Sequence, residues 1–339
     1  MRNSRPSIYD VAKRANVSVS TVSRVINGQK GVHATTRSAV WAAIRELDYE
    51  VIRTESSLSG VLILSPSLRF DSPYWQQVMS GIFDEASRLG IPVMLSFVTS
   101  REAALAEVRA YSNRNGILGI VLACFPTDVP AGDWLLDNPN IAAVSVLMKS
   151  SGSMVNVDVY NAVRRATLKL LRMGHRRIAF AIHSLAWWSQ QRRLQGFLDA
   201  FREMGLEVPD TGGCLPVSNA DAGAWLDAQL RQKEPPTAII GGTSDLSHQI
   251  FVELHRRRVA MPEDLSFVGI GHVRRWDEPL FDVIKQPTFE LGIETVRTLR
   301  RIVTRPGRNI VVDLPAQIVH VGTTGPPASG AGADAGRRA

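Results

Sequence analysis

The chain is almost without cysteine: Cys124 and Cys214 are the only two in 339 residues. Neither has a second Cys or a His at ligand spacing, which argues against both a disulfide framework and a thiolate zinc site. No apolar run approaches the roughly 20 residues that span a bilayer. Residues 1–20 lack the apolar core of a signal peptide. These absences point to a soluble protein of the cytoplasm. Catalytic signatures are missing as well. The histidines at 33, 175, 183, 248, 255, 272 and 320 are scattered, with no HExxH or HxH pair. The string GGTSD is too short for a phosphate-binding glycine loop. No enzyme activity, metal or cofactor is therefore expected.

Acid is also scarce in one place. The first 45 residues hold Asp10 alone against eight bases, while the other 31 bases and 31 acids cancel. The entire net charge of +7 thus sits at the N-terminus. A basic arm would concentrate charge in the same way, but arms are poor in apolar residues and this segment is not. Clustered base on a foldable unit is the electrostatic footprint of nucleic-acid binding.

What is present supports that reading. Ser7 and Asp10 form a capping-box pattern before a helix whose Ile8, Val11, Ala12 and Ala15 share one face. Asn16 breaks it, and Ser18 can cap a second helix running to about Asn27, with Val22, Val25 and Ile26 inward and Gly28 at its end. Val19, Ser20, Ser23 and Arg24 then point outward. A third helix from about Thr35 to Leu47 packs through Val40, Ala43, Ile44 and Leu47. This is helix-turn-helix geometry, in which the second helix enters the major groove of DNA. Small hydroxyls allow close approach, and Arg24 can reach guanine or phosphate.

The runs YDVAKRANVSVSTVSRVING and TRSAVWAAIRELDY, between Ile8 and Tyr49, closely resemble the headpiece of LacI/GalR-family transcription regulators. The resemblance implies that Val19 and Ser20 read bases and that Arg24 is a further reader. It places Ser18, Thr21, Ser23 and Asn27 at phosphate-contacting or helix-fixing positions. It breaks after Tyr49, where EVIRTESSLSG replaces the Pro-Asn pair and Ala-Leu-rich hinge helix of the family. Leu58 is then either a shortened hinge's minor-groove wedge or the start of the next strand; loss of a wedge relaxes preference at the operator centre.

From Gly60 onward short apolar runs alternate with amphipathic stretches. VLIL (61–64), IPVMLSFV (91–98), ILGIVLAC (117–124), IAAVSVL (141–147), RIAFAIH (177–183), TAIIGG (237–242) and LSFVGI (265–270) read as buried strands. A helix through Val78, Ile82, Phe83 and Leu89 separates the first two. Such alternation predicts an α/β fold of parallel sheets flanked by helices. The weaker resemblance of residues 155–182 and 235–270 implies two periplasmic-binding-protein-like lobes, crossed near Asp158, Gln286 and Val321. The expected organisation is a helix-turn-helix headpiece at 1–49, a shortened linker at 50–59 and an effector-binding and dimerisation domain at 60–322. Within that domain lobe 1 covers about 60–158 and 287–321, and lobe 2 about 159–286. Residues 323–339 are expected to be a disordered tail.

The resemblance also implies a ligand between the lobes. Tyr74 or Trp75, in SPYW, stacks on a ligand ring or packs in the core. Arg193 matches an arginine that clamps ligand hydroxyls or carboxylates, with Arg192 as its exposed neighbour. Asp245, His272, Trp276 and Gln286 complete the candidates, with Trp187 and Trp188 at the cleft mouth. Two departures stand out. Thr243-Ser244 replaces the usual Asn-Asp, and Gly271 replaces an Asp that bonds sugar hydroxyls. The expected protein is a homodimeric repressor on a palindromic double-stranded operator, nucleoid-associated and switched by a small effector, a sugar or sugar derivative or something less usual. A sensor answering a protein corepressor is the other reading.

Overall fold

The computed structural model describes residues 6–27, 29, 31–49, 51, 58–66, 72–112, 117–123, 125, 141–149, 152–207, 217–218, 221–271, 278–304 and 309–328. The N-terminal helices are α1 (Ile8–Arg14), α2 (Val19–Ile26) and α3 (Ala34–Glu46). At the start of α1 the Asp10 carboxylate accepts the Ser7 backbone N–H at 2.8 Å and its hydroxyl at 2.7 Å. Asn16, with φ of 54°, turns the chain, a left-handed conformation that Asn tolerates better than most residues. Val11, Val22, Val25, Val40 and Ile44 interlock the three helices in one apolar cluster, which Trp41 and Val51 also enter.

Beyond the headpiece the order is β1 (Leu58–Ser65), α4 (Pro73–Arg88), β2 (Val93–Phe97), α5 (Arg101–Ser112), β3 (Ile117–Ala123), β4 (Ile141–Val146) and β5 (Met154–Val157). It continues with α6 (Val159–Arg172), β6 (Ile178–Ala181), α7 (Trp188–Glu203), α8 (Ala222–Leu230), β7 (Ala238–Gly241) and α9 (Ser244–Arg256). The last elements are β8 (Ser266–Gly271), β9 (Asp282–Lys285), α10 (Thr288–Thr304), β10 (Val311–Leu314) and β11 (Gln317–Val319).

These strands form two sheets, ordered β10-β5-β4-β3-β1-β2 and β11-β9-β8-β7-β6. The chain divides accordingly into two compact units: residues 1–69, 77–156 and 289–312, and residues 70–76, 157–288 and 313–339. In the first, Leu62, Leu64, Ile120 and Leu122 pack against Ala104 and Val108 of α5. Leu58 opens β1 and is only 7 % exposed, so of its two sequence-level roles the strand is the one it fills, and its side chain is committed to the core. IPVMLSFV is not the buried strand expected of it. β2 is a sheet edge, its residues are half-buried, and Phe97 is exposed, because among the described strands only β1 pairs with it. Phe83 also lies on the exposed side of α4.

In the second unit β6 to β9 run parallel. The two-residue period of a strand sends Ala179 and Ala181 toward Leu246 and Ile250 of α9. Phe180 points the other way and stacks on Phe197, itself against Phe201, with centroids 5.2 Å apart in each pair. α7 lies so close to α6 that a Cβ at Gly196 would strike the Tyr160 carbonyl. The end of the chain departs from expectation. The third crossing falls near residue 312 rather than Val321, because β11 pairs antiparallel with β9. Residues 323–325 are likewise fixed rather than free: Thr323 and Thr324 bond Asp282, and Gly325 bonds His175 and Ser266.

Candidate nucleic-acid interface and ligand site

In the headpiece Ser18 caps α2, its Oγ accepting the Thr21 N–H at 3.1 Å. The same oxygen lies 2.8 Å from the hydroxyls of both Ser20 and Thr21. The Asn27 amide reaches the Ser23 hydroxyl at 3.4 Å, one turn further on. Ser18, Ser20, Arg24 and Asn27 are exposed, and Thr21 and Ser23 half-exposed. Val19 differs from its neighbours in packing partly on the headpiece core, so it is anchored as well as outward-lying. α2 carries no acid, and its last turn holds Arg24. An Arg14–Glu46 pair ties α1 to α3 at 2.6 Å, but both side chains are over half exposed, so it contributes little. The surface left on α2 is a row of hydroxyls with one cation, suited to phosphate oxygens and base edges.

The second candidate lies in the second unit, at the carboxyl ends of the parallel strands, where ligands bind in open α/β sheets. Arg193, on α7, is 6 % exposed. Its Nη1 donates to the Gly242 carbonyl at 2.7 Å, just beyond β7, and its Nε is buried without a partner. Burial lowers its pKa to about 10, with the Tyr74 phenol opposing that shift. Tyr74 and Trp75 stand in the first turn of α4, and Tyr74 groups with this unit. Their rings meet edge-on at 5.4 Å.

Gln286 follows β9 and is 3 % exposed; its N–H donates to the Gly271 carbonyl at 2.9 Å, while its side-chain Nε2 is unpartnered. Asp245 sits half-exposed in the first turn of α9, which Thr243 caps through the Leu246 N–H. Arg192 is drawn over the Tyr160 ring at 4.4 Å rather than standing free. Trp187 and Trp188 begin α7, half-buried. His272 and Trp276 lie outside the described residues, as do Cys124, Cys214, Gly28 and most of the linker.

Arg193, Gly242, Gly271 and Gln286 therefore belong to one end of one sheet. Sequence reading missed Gln190. It lies one turn before Arg193 on the same helix face, is 5 % exposed, and has an unpartnered Oε1. The i, i+3 spacing of two polar residues on the buried face of α7 was the available signal. Among the described residues no cluster of His, Cys, Asp and Glu could hold a metal, and no helix is long and apolar enough to cross a membrane.

Comparison with known proteins adds to this geometry. Residues 7–50 match the family of bacterial regulatory proteins called lacI, and residues 167–324 match a periplasmic binding protein-like domain. The chain is 29 % identical to the transcriptional regulator CelR of Thermobifida fusca, covering 88 % of this chain and 92 % of that one. It is 28 % identical to the transcriptional repressor PurR of Proteus mirabilis, over 84 % and 87 % of the two chains. Among solved structures it resembles a CelR–cellobiose complex with a TM-score of 0.64 and 26 % identity, covering 94 % of this chain and all of that one.

Proposed function

The chain belongs to the LacI family of bacterial regulatory proteins, and from that premise we propose that α2 reads the operator while the carboxyl edge of the second sheet holds the molecule that switches it. The protein is a sequence-specific DNA-binding transcriptional regulator whose operator affinity depends on a small-molecule effector. It acts without a catalytic step, as a homodimer on double-stranded DNA, in the cytoplasm where the nucleoid lies. Residues 1–49 form the reading unit and 50–59 the linker.

In this reading Ser20 and Arg24 contact base edges, Val19 adds an apolar contact, and Ser18, Thr21, Ser23 and Asn27 fix the helix or bond phosphates. Tyr74, Trp75, Arg193, Asp245, His272, Trp276 and Gln286 are the effector contacts, to which Gln190 is added. CelR was solved with cellobiose, which favours a metabolite over a protein corepressor as the signal. The switch needs only that the effector bind one DNA-binding arrangement of the dimer better than another; coupling of about 1–3 kcal/mol is typical.

The observation that carries the proposal is the acid-free polar face of α2 on a packed three-helix core. Selection of genomic fragments by the purified protein at fixed salt identifies the operator, and Arg24→Ala then tests the reader. The variant is expected to bind that operator about 1–3 kcal/mol more weakly and to tolerate more bases at one position. Unchanged specific affinity removes Arg24 from the interface, and a wild-type protein that enriches no sequence overturns the DNA-reading role of α2. Because Leu58 is committed to the core of β1, the selected sites should be half-sites with an indifferent centre.

A further inference from the structure

Three buried side chains among the described residues carry a charge at neutral pH: Glu85, Arg193 and Asp282. Glu85 is held by Arg88 at 2.7 Å and by Arg297 at 3.2 Å. Asp282 is surrounded by N–H and O–H donors. Arg193 has one neutral carbonyl as acceptor, and no acid among the described residues pairs with it. A charge taken out of water is tolerated when it is paired and hydrogen-bonded, and is expensive otherwise. Among the described residues, then, this cation has no counter-ion.

We infer that the effector carries a carboxylate, which docks on the edge of the Arg193 guanidinium formed by Nε and Nη2. This rests on the reading of Arg193 as an effector contact. The atoms support it. Nη1 is spent on Gly242, so the side-on edge that accepts a carboxylate in two parallel hydrogen bonds is left intact. The unpartnered Gln190 Oε1 and Gln286 Nε2 offer one acceptor and one donor for neighbouring hydroxyls. Gly271 ends β8, so that position itself presents no side chain to oppose an anion. A phosphate dianion would bring more charge than one guanidinium neutralises, and no second described cation acts on Arg193.

The experiment follows thermal unfolding and binding heat of the full-length protein with gluconate, glucuronate, acetate, glucose and glucose 6-phosphate, at one ionic strength balanced with chloride. At least one carboxylate is expected to raise Tm, with affinity about ten- to hundredfold above its neutral or phosphorylated counterpart. Arg193→Gln, which keeps amide donors but no charge, is expected to level the acid and neutral probes. Circular dichroism and operator binding report whether that variant is folded. Stabilisation by glucose equal to that by gluconate, weakened in Arg193→Gln, keeps the site but overturns the carboxylate. Preference for glucose 6-phosphate alone overturns it in favour of a phosphate. A response to gluconate that Arg193→Gln leaves unchanged overturns the role of Arg193 itself. No response to any of the three carboxylates overturns the assignment.

Discussion

Asp282 and Arg193 are two buried charges of the same unit, 1 % and 6 % exposed, and their surroundings could hardly differ more. Burial by itself raises the Asp282 carboxyl. Hydrogen bonds from the Thr324 hydroxyl, the Val321 and Gly322 N–H groups and His320 outweigh it and bring the pKa to about 2. Lys169 stands 3.8 Å away and completes the cluster. Among the described residues nothing comparable surrounds Arg193, whose pKa burial lowers to about 10. The first charge closes the fold by pinning the segment after β11. The second is left open at the edge where ligands enter such sheets. On the reading proposed above, the satisfied charge belongs to the architecture and the other awaits a partner from outside the chain.

The strongest way to break that contrast is Asp282→Ala. Removing the carboxylate strands three backbone N–H groups and releases residues 321–325, so unfolding in urea should show a loss of about 3–5 kcal/mol. A loss under about 1 kcal/mol would mean the cluster behaves as a surface ion pair, and the contrast with Arg193 would collapse. The same group sets an acid limit. Its folded pKa lies below the ordinary carboxylate value of 3.8, so its stabilisation is present at higher pH and is lost as pH falls through that value toward about 2. The shift corresponds to roughly 2 kcal/mol. A pH series of urea midpoints should show it in the wild type and not in Asp282→Asn.

The two charges also differ in how far the sequence disclosed them. Arg193 was legible because it stands in a family-like run, RRLQGF, where resemblance fixes the position. Asp282 was not, since its partners lie about 40 residues on in a segment whose Gly-Pro-rich continuation reads as tail. The headpiece was legible because capping residues and a helical apolar period act locally; Ser7, Asn16 and Ser18 mark its turns in the sequence. The central strands were legible as continuous apolar runs. β9 and β11 were not, because DVIK and QIV are too short to show a period, and their pairing is decided by tertiary contact. The half-burial of β2 depends on its place at the sheet edge, which no run of residues reveals.

Arg193→Met tests the other side of the contrast, with the opposite sign. Methionine fills a similar volume without charge, and replacing an uncompensated buried ion by an apolar residue is neutral or stabilising. The hydrogen bond to Gly242 is lost, at about 1 kcal/mol. A net gain of about 1–2 kcal/mol in the ligand-free protein is expected. Destabilisation of similar size would show that Arg193 is already satisfied in the folded chain and resembles Asp282 after all.

A finer test compares two glutamines of near-equal burial, Gln190 at 5 % and Gln229 at 6 % exposure. Gln229 accepts a hydrogen bond from the Gln232 amide at 3.0 Å, whereas the Gln190 Oε1 has no partner. Leucine and glutamine have nearly equal helix propensity, so substitution on α7 or α8 isolates the polar term. Gln190→Leu relieves a buried unsatisfied acceptor and should stabilise the ligand-free protein by about 0.5–1 kcal/mol. Gln229→Leu removes a bond already made and should cost a similar amount. Paired thermal melts read the difference in sign. With gluconate present the order should invert, because Gln190→Leu then forfeits a contact that the bound wild type makes, while Gln229→Leu keeps its full ligand response. Two glutamines that respond alike, with and without the acid, would show that the orphaned acceptor beside Arg193 has no bearing on ligand binding.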